Sequence, residues 1–138
     1  MGAWGHEIFQ DDTNCDIADQ IVNLENPFQM FTDFIDKLND VKYLEHYLEY
    51  EDCSAILILA AIVDGILNGT CYPDEPESFR AFIDAKKNIP VGNLKKGTVN
   101  ALDRLLGENS ELNELWSENE ELYPLWKDII IQMKERLT

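Results

Sequence analysis

Two histidines, His6 and His46, and three cysteines, Cys15, Cys53 and Cys71, are the residues with which this chain could carry out nucleophilic or general-base chemistry. Such chemistry needs a nucleophile and an activating base within hydrogen-bond reach of each other. Neither histidine sits in a motif that supplies that pairing. His46, among Glu45, Tyr47 and Glu49, reads as an exposed residue of a short helix; His6, beside Trp4 and Glu7, reads as a locally bonded residue of a packed arm. The thiols are odd in number and widely spaced, and Cys15 and Cys53 fall on apolar helical faces, where a free thiol packs as a small hydrophobe. Reduced, unpaired cysteines are therefore expected. There is no Cys-x-x-Cys, no His-Glu-x-x-His and no calcium loop with its central glycine and closing glutamate. Glycine-rich phosphate loops are missing too. The expectation is no metal, no cofactor and no catalysis.

Carboxylates are too abundant for any pair of them to stand out as an acid and a base. The chain has 27 acids against 11 Lys and Arg, a net charge of −16. Seventeen acids and two bases, Lys37 and Lys42, lie in residues 1–79, a net of −15; residues 80–138 carry ten acids and nine bases, a net of −1. Glu108 to Glu121 is a further stretch, with six glutamates and no base. Nucleic acid and anionic membrane surfaces require a basic footprint, so both are excluded as partners. A basic protein is the partner that this charge fits. The candidate contact residues are the acids of the first half, Asp11, Asp12, Asp16 and Asp19, Glu49, Glu51 and Asp52, and Asp74, Glu75 and Glu77, with Tyr47, Tyr50 and Tyr72 among them as aromatic anchors. Asp64 is set apart by interrupting an apolar run. A buried unpaired charge is costly, so Asp64 must either face solvent at a helix end or meet a cation such as Arg80 or Lys95.

Helices must position these residues. At 138 residues, with 45% hydrophobic and 10% aromatic side chains, the chain is sized for one domain with a real core, spanning 1–138 without a linker long enough to divide it. The segment 53–67 is apolar nearly all round, as a central helix surrounded by others must be, and Asn68-Gly69 offers its stop. Asp11-Asp12-Thr13 offers N-cap chemistry for a first helix with Ile17, Ile21, Val22 and Leu24 inward. A second, over 28–38, buries Phe31, Phe34, Ile35 and Leu38; Asp40 can cap a third, short one carrying Leu44, Tyr47 and Leu48. Asp74 and Glu77 have capping-box spacing before a helix over 76–87. Helices follow over 94–106, exposing Lys95, Lys96 and Arg104, and after Asn109-Ser110, with Leu112, Leu115 and Trp116. The last, over 121–137, carries the stripe Leu122, Leu125, Trp126, Ile129, Ile130, Met133 and Leu137, with Pro124 in its first turn. The arm at 1–10 is expected to plug the core with Trp4, Ile8 and Phe9 while Gly2 and Gly5 let the backbone turn. The fold class is all-α: one compact domain of seven or eight helices around the 53–67 helix. No apolar run is long enough to span a membrane and no secretory leader opens the chain, so a cytoplasmic location is expected. Gly2 is not read as a lipid acceptor, because position six is His6.

Three stretches carry a resemblance. Met1 to Gly5 with Phe9, Asp11 and Asp12; Glu51-Asp52-Cys53-Ser54 at the head of the apolar helix; and Asn109-Ser110-Glu111-Leu112 leading to Leu115-Trp116 are together similar to the bacterial proteins grouped as domain of unknown function 4259. The resemblance covers essentially the whole chain. Glu7 departs from it, since relatives commonly have glycine there. Some relatives look like immunity proteins beside secreted toxins, so the resemblance implies a cytoplasmic protein that binds and blocks a toxin, most simply a nuclease whose cleft must be basic. The alternative is a non-catalytic adaptor or self-associating regulatory domain without a toxin partner. No catalytic residues are implied.

Overall fold

The computed structural model describes residues 3–138; Gly2, assigned a turn in the arm, lies outside the described residues. Among those residues there are seven α-helices: α1 (Asp12–Val22), α2 (Pro27–Asn39), α3 (Tyr50–Asn68), α4 (Glu77–Lys86), α5 (Lys95–Leu105), α6 (Glu111–Ser117) and α7 (Tyr123–Leu137). Short 3₁₀ turns at Val41–Tyr43 and Gly92–Leu94 complete the set. Extended pairing among the described residues is confined to single bridges, Ala3 with Asp11 and Leu48 with Ser110. The chain is an all-α fold, 68% helical.

The run of apolar residues becomes α3, and its lack of an amphipathic face explains its place. Ile56 to Gly65 are all buried, and α1, α4, α5, α6 and α7 pack around them, with α2 lying against α5. Gly69 ends the helix in the left-handed region (φ 70°), where only glycine avoids a Cβ penalty, and its N–H returns to the Gly65 carbonyl. Gly97, inside α5, allows the close approach to α2: a Cβ there would collide with Ile35 Cγ2.

Several expectations need correction. α3 starts three residues earlier than the apolar run, because Glu49 and Asp52 form a reciprocal capping box that draws a polar turn into the helix. The short helix expected around Leu44, Tyr47 and Leu48 is instead the 3₁₀ turn followed by extended chain. There Leu48 N–H donates to Asn109 O (2.7 Å) and Glu111 N–H to Leu48 O (2.9 Å). Asp74 does not cap α4; Pro76 holds the N-cap position without a side-chain bond, and Asp74 sits at φ 59°. In the arm, Ile8 and Phe9 are buried as expected, but Trp4 is 61% exposed. Leu24 and Leu125, placed inward by periodicity, are 44% and 48% exposed. Arg104 does not extend freely: it donates to Leu38 O (2.8 Å) and His46 O (2.9 Å), pinning the 41–49 segment to α5.

Asp64 is fully buried rather than placed at a helix end, and its cation comes from α7 rather than from Arg80 or Lys95. Arg136 Nε donates to Oδ2 (2.9 Å), Tyr72 Oη donates to the same oxygen (2.5 Å), and Asn68 Nδ2 donates to Oδ1 (2.8 Å). Burial and the Asp64 carboxylate push the Tyr72 phenol well above its ordinary range, keeping it a donor. Arg80 instead closes the 70–80 loop, bonding Glu75 (2.6 Å) and Thr70 O (2.9 Å).

Candidate protein-binding groove

The candidate contact residues divide by what holds them. Asp11 is buried: Oδ1 accepts from the Thr13 and Asn14 N–H groups as the α1 N-cap, and Oδ2 accepts from Tyr50 Oη at 2.5 Å. Tyr50 in turn donates its backbone N–H to Glu111 (3.0 Å), and Cys53 Sγ meets Ser110 Oγ at 3.4 Å. The three stretches that carry the resemblance thus converge on the first turn of α3, which they lock in place. Asp11 and Tyr50 hold structure there and offer little to a partner. Tyr72 is buried against Asp64, and Glu75 is held by Arg80 and by the Tyr72 N–H (3.2 Å). Asp74 accepts from Gln10 Nε2 (3.0 Å), joining the loop to the arm. Tyr47, partly exposed, donates to Glu114 (3.0 Å); desolvation and that carboxylate push its phenol up to about 12.

Asp12, Asp16 and Asp19 are exposed on α1, spaced so that they share one side of the helix. Glu49 and Glu51 are exposed and Asp52 half-buried at the N-terminus of α3, where the helix dipole offsets part of the cost of gathering them. Among the described residues, none of these six lies within 4 Å of a Lys, Arg or His nitrogen, though Asp52 acts on Arg104 at longer range; the Lys and Arg ion pairs are Arg80–Glu75, Arg80–Asp84, Lys134–Asp103 and Arg136–Asp64.

Asp16, Glu51 and Asp52 come together around a groove of about 580 Å³ between α1, the start of α2 and the first turns of α3. Thr13 and Gln20 also line it. Ile17, Ile21, Leu24, Met30 and Ala55 supply its apolar part. Asp16 and Glu51 are exposed and Asp52 half-buried, while Ile21 is buried and Ile17 and Ala55 partly so, with Leu24 and Met30 reaching the surface, so carboxylates flank an aliphatic floor. Asp74, Glu75 and Glu77 do not line it. Sequence reasoning missed Met30 as a contact residue. It stands one position before Phe31, on the flank of the α2 stripe, and is 39% exposed.

The family model described as Domain of unknown function (DUF4259) matches residues 2–128. The chain belongs to this family. No curated protein and no solved structure matches it. In this DUF4259 chain, the described residues include no group of three His, Cys, Asp or Glu side chains placed to hold a metal ion, and no helix long and apolar enough to cross a membrane. All three cysteines are free, and burial pushes the Cys53 and Cys15 thiols up, the acids Asp11, Asp12 and Asp16 adding to the effect at Cys15. A raised thiol is a poor nucleophile. His6 lies 3.5 Å from Glu7, and His46 packs edge-on against Tyr43; among the described residues neither side chain is hydrogen-bonded to a hydroxyl or thiol.

Proposed function

We propose that this chain is a non-catalytic, cytoplasmic immunity protein that binds the basic cleft of a nuclease toxin domain and blocks it. The observation that carries the reading is the trio Asp16, Glu51 and Asp52, none in an ion pair, around the groove, with Asp12, Asp19 and Glu49 on the same two helical segments but outside its lining. Holding like charges together without counter-charges opposes folding, and such a surface gains its compensation when a cationic one covers it. A nuclease must bind a polyanion, so its cleft presents the complementary charge. The acids that do meet a lysine or arginine, Asp64, Glu75, Asp84 and Asp103, all lie away from the groove.

The test is growth protection. A toxic domain encoded beside this chain's gene is expressed with wild-type protein, with Asp12, Asp16 and Glu51 changed together to Lys, or with Glu118, Glu120 and Glu121 changed together to Lys. All six side chains are exposed, so both variants should fold. Asp11 is left intact because it caps α1. The reading expects wild type and the second variant to protect and the first to fail. Equal protection by both variants would remove the groove from the account, and no protection by wild type would remove the function.

A further inference from the structure

We infer that the groove receives an amphipathic basic helix of the partner protein, with a stripe of Leu, Ile or Met seated on the floor and Lys or Arg on both flanks. This rests on the protein-binding reading above and names its occupant.

The floor sets the apolar part. Ile17, Ile21 and Leu24 fall at i, i+4 and i+7, so they form one stripe along α1 that continues into the turn after it. Such a stripe is about 10 Å long at 1.5 Å per residue. A helix docks on it through side chains that repeat at the same three- and four-residue spacing. Leu24 (44% exposed) and Met30 (39% exposed) are large apolar side chains that the chain's own fold leaves only half covered, side by side in a concavity. The walls set the charge: Asp16 stands on the α1 side and Glu51 and Asp52 on the α3 side, so the complement carries cations on either side of its apolar stripe.

Other occupants fit less well. A peptide bound as an added strand needs a sheet edge, and the described residues form no strand. A bare metal ion needs converging ligands, and the rim acids do not converge. An acidic peptide or nucleic acid would meet three carboxylates with no cation between them.

The experiment uses the whole chain and a fluorescein-labelled synthetic helical peptide of Leu and Lys, with leucines at three- and four-residue spacing. It is compared with an isomer of scrambled order and with a peptide in which Glu replaces every Lys. Anisotropy at low salt should show the striped Lys peptide binding about ten-fold tighter than the scrambled isomer, the equivalent of burying one or two apolar side chains, and the Glu peptide not binding. Amide shifts should cluster at Ile21, Leu24, Met30 and Ala55. Leu24→Lys with Met30→Lys, both at half-exposed positions, should weaken binding by a similar factor while leaving the melting temperature unchanged. Equal affinity for the scrambled isomer, binding of the Glu peptide, or shifts confined to another face would overturn the proposal. If those results appear while the Lys variants at Asp12, Asp16 and Glu51 still abolish growth protection, the helical occupant falls and the partner-binding reading stands.

Discussion

Asp64 shows how far a single side chain depends on residues remote in sequence. Its apolar flanks made the need for a partner legible, yet the partner came from α7, 72 residues away, because only there does the packing of α7 on α3 bring a guanidinium within reach. Spacing arguments reach across one or two turns and could not select Arg136 over Arg80 or Lys95. The same limit separates Asp11 from Asp12: adjacent and chemically identical, one is buried under Tyr50 and the other is free at the surface. A stability prediction follows at this scale. Arg136→Met should cost about 3 kcal/mol in urea denaturation, because it leaves a buried carboxylate without its cation. Changing Asp64 to Leu and Tyr72 to Phe in the same chain should recover most of that loss, since the buried charge and its buried donor are then both removed, and Asn68, the remaining donor, is exposed and keeps the Arg136 carbonyl. A triple variant less stable than Arg136→Met alone would show that the network does more than neutralise Asp64.

At the scale of elements, periodicity located every α-helix of the structure, and the errors fall where local pattern and long-range contact disagree. The α3 core at 53–67 was legible because a run apolar on all sides has no other stable place than the centre. Its first turn was not, since Tyr50, Glu51 and Asp52 are polar and become helical through a capping box. The four-residue spacing of Leu44 and Leu48 predicts a helix, but the Leu48 backbone pairs with Asn109 and Glu111, which no local window includes. Leu24 and Leu125 fit their helical stripes and are nonetheless half exposed, so a stripe identifies a face without showing how much of it is covered. Leu59→Asp tests the central position of α3 directly. Leu59 is 1% exposed, and an unpaired charge there should cost more than about 4 kcal/mol and abolish the cooperative thermal transition. A variant that melts near the wild-type temperature would mean that α3 is not enclosed.

For the whole molecule, composition shows the sign of the surface charge and nothing of where it gathers. The first half holds a net of −15, but Asp11, Asp64 and Glu75 within it are committed to structure, and Tyr50 and Tyr72 are committed with them. Of the remaining candidate acids, Asp16, Glu51 and Asp52 are the ones that line an apolar groove, between α1 and the head of α3. That reduction from a charged half to one groove needed the tertiary structure. It also leaves Asp11, the α1 N-cap, out of the decisive substitutions, which are Asp12, Asp16 and Glu51. The most direct measurement is the association rate between this chain and the proposed nuclease toxin partner, followed by stopped flow from about 0.05 to 0.5 M salt, screening lengths of roughly 14 to 4 Å. The account predicts that the wild-type rate falls at least about ten-fold across that range while dissociation changes little, and that the Asp12, Asp16 and Glu51 to Lys variant starts slow and hardly responds to salt. A salt-independent wild-type rate, or a variant that associates as fast as wild type at low salt, would contradict it.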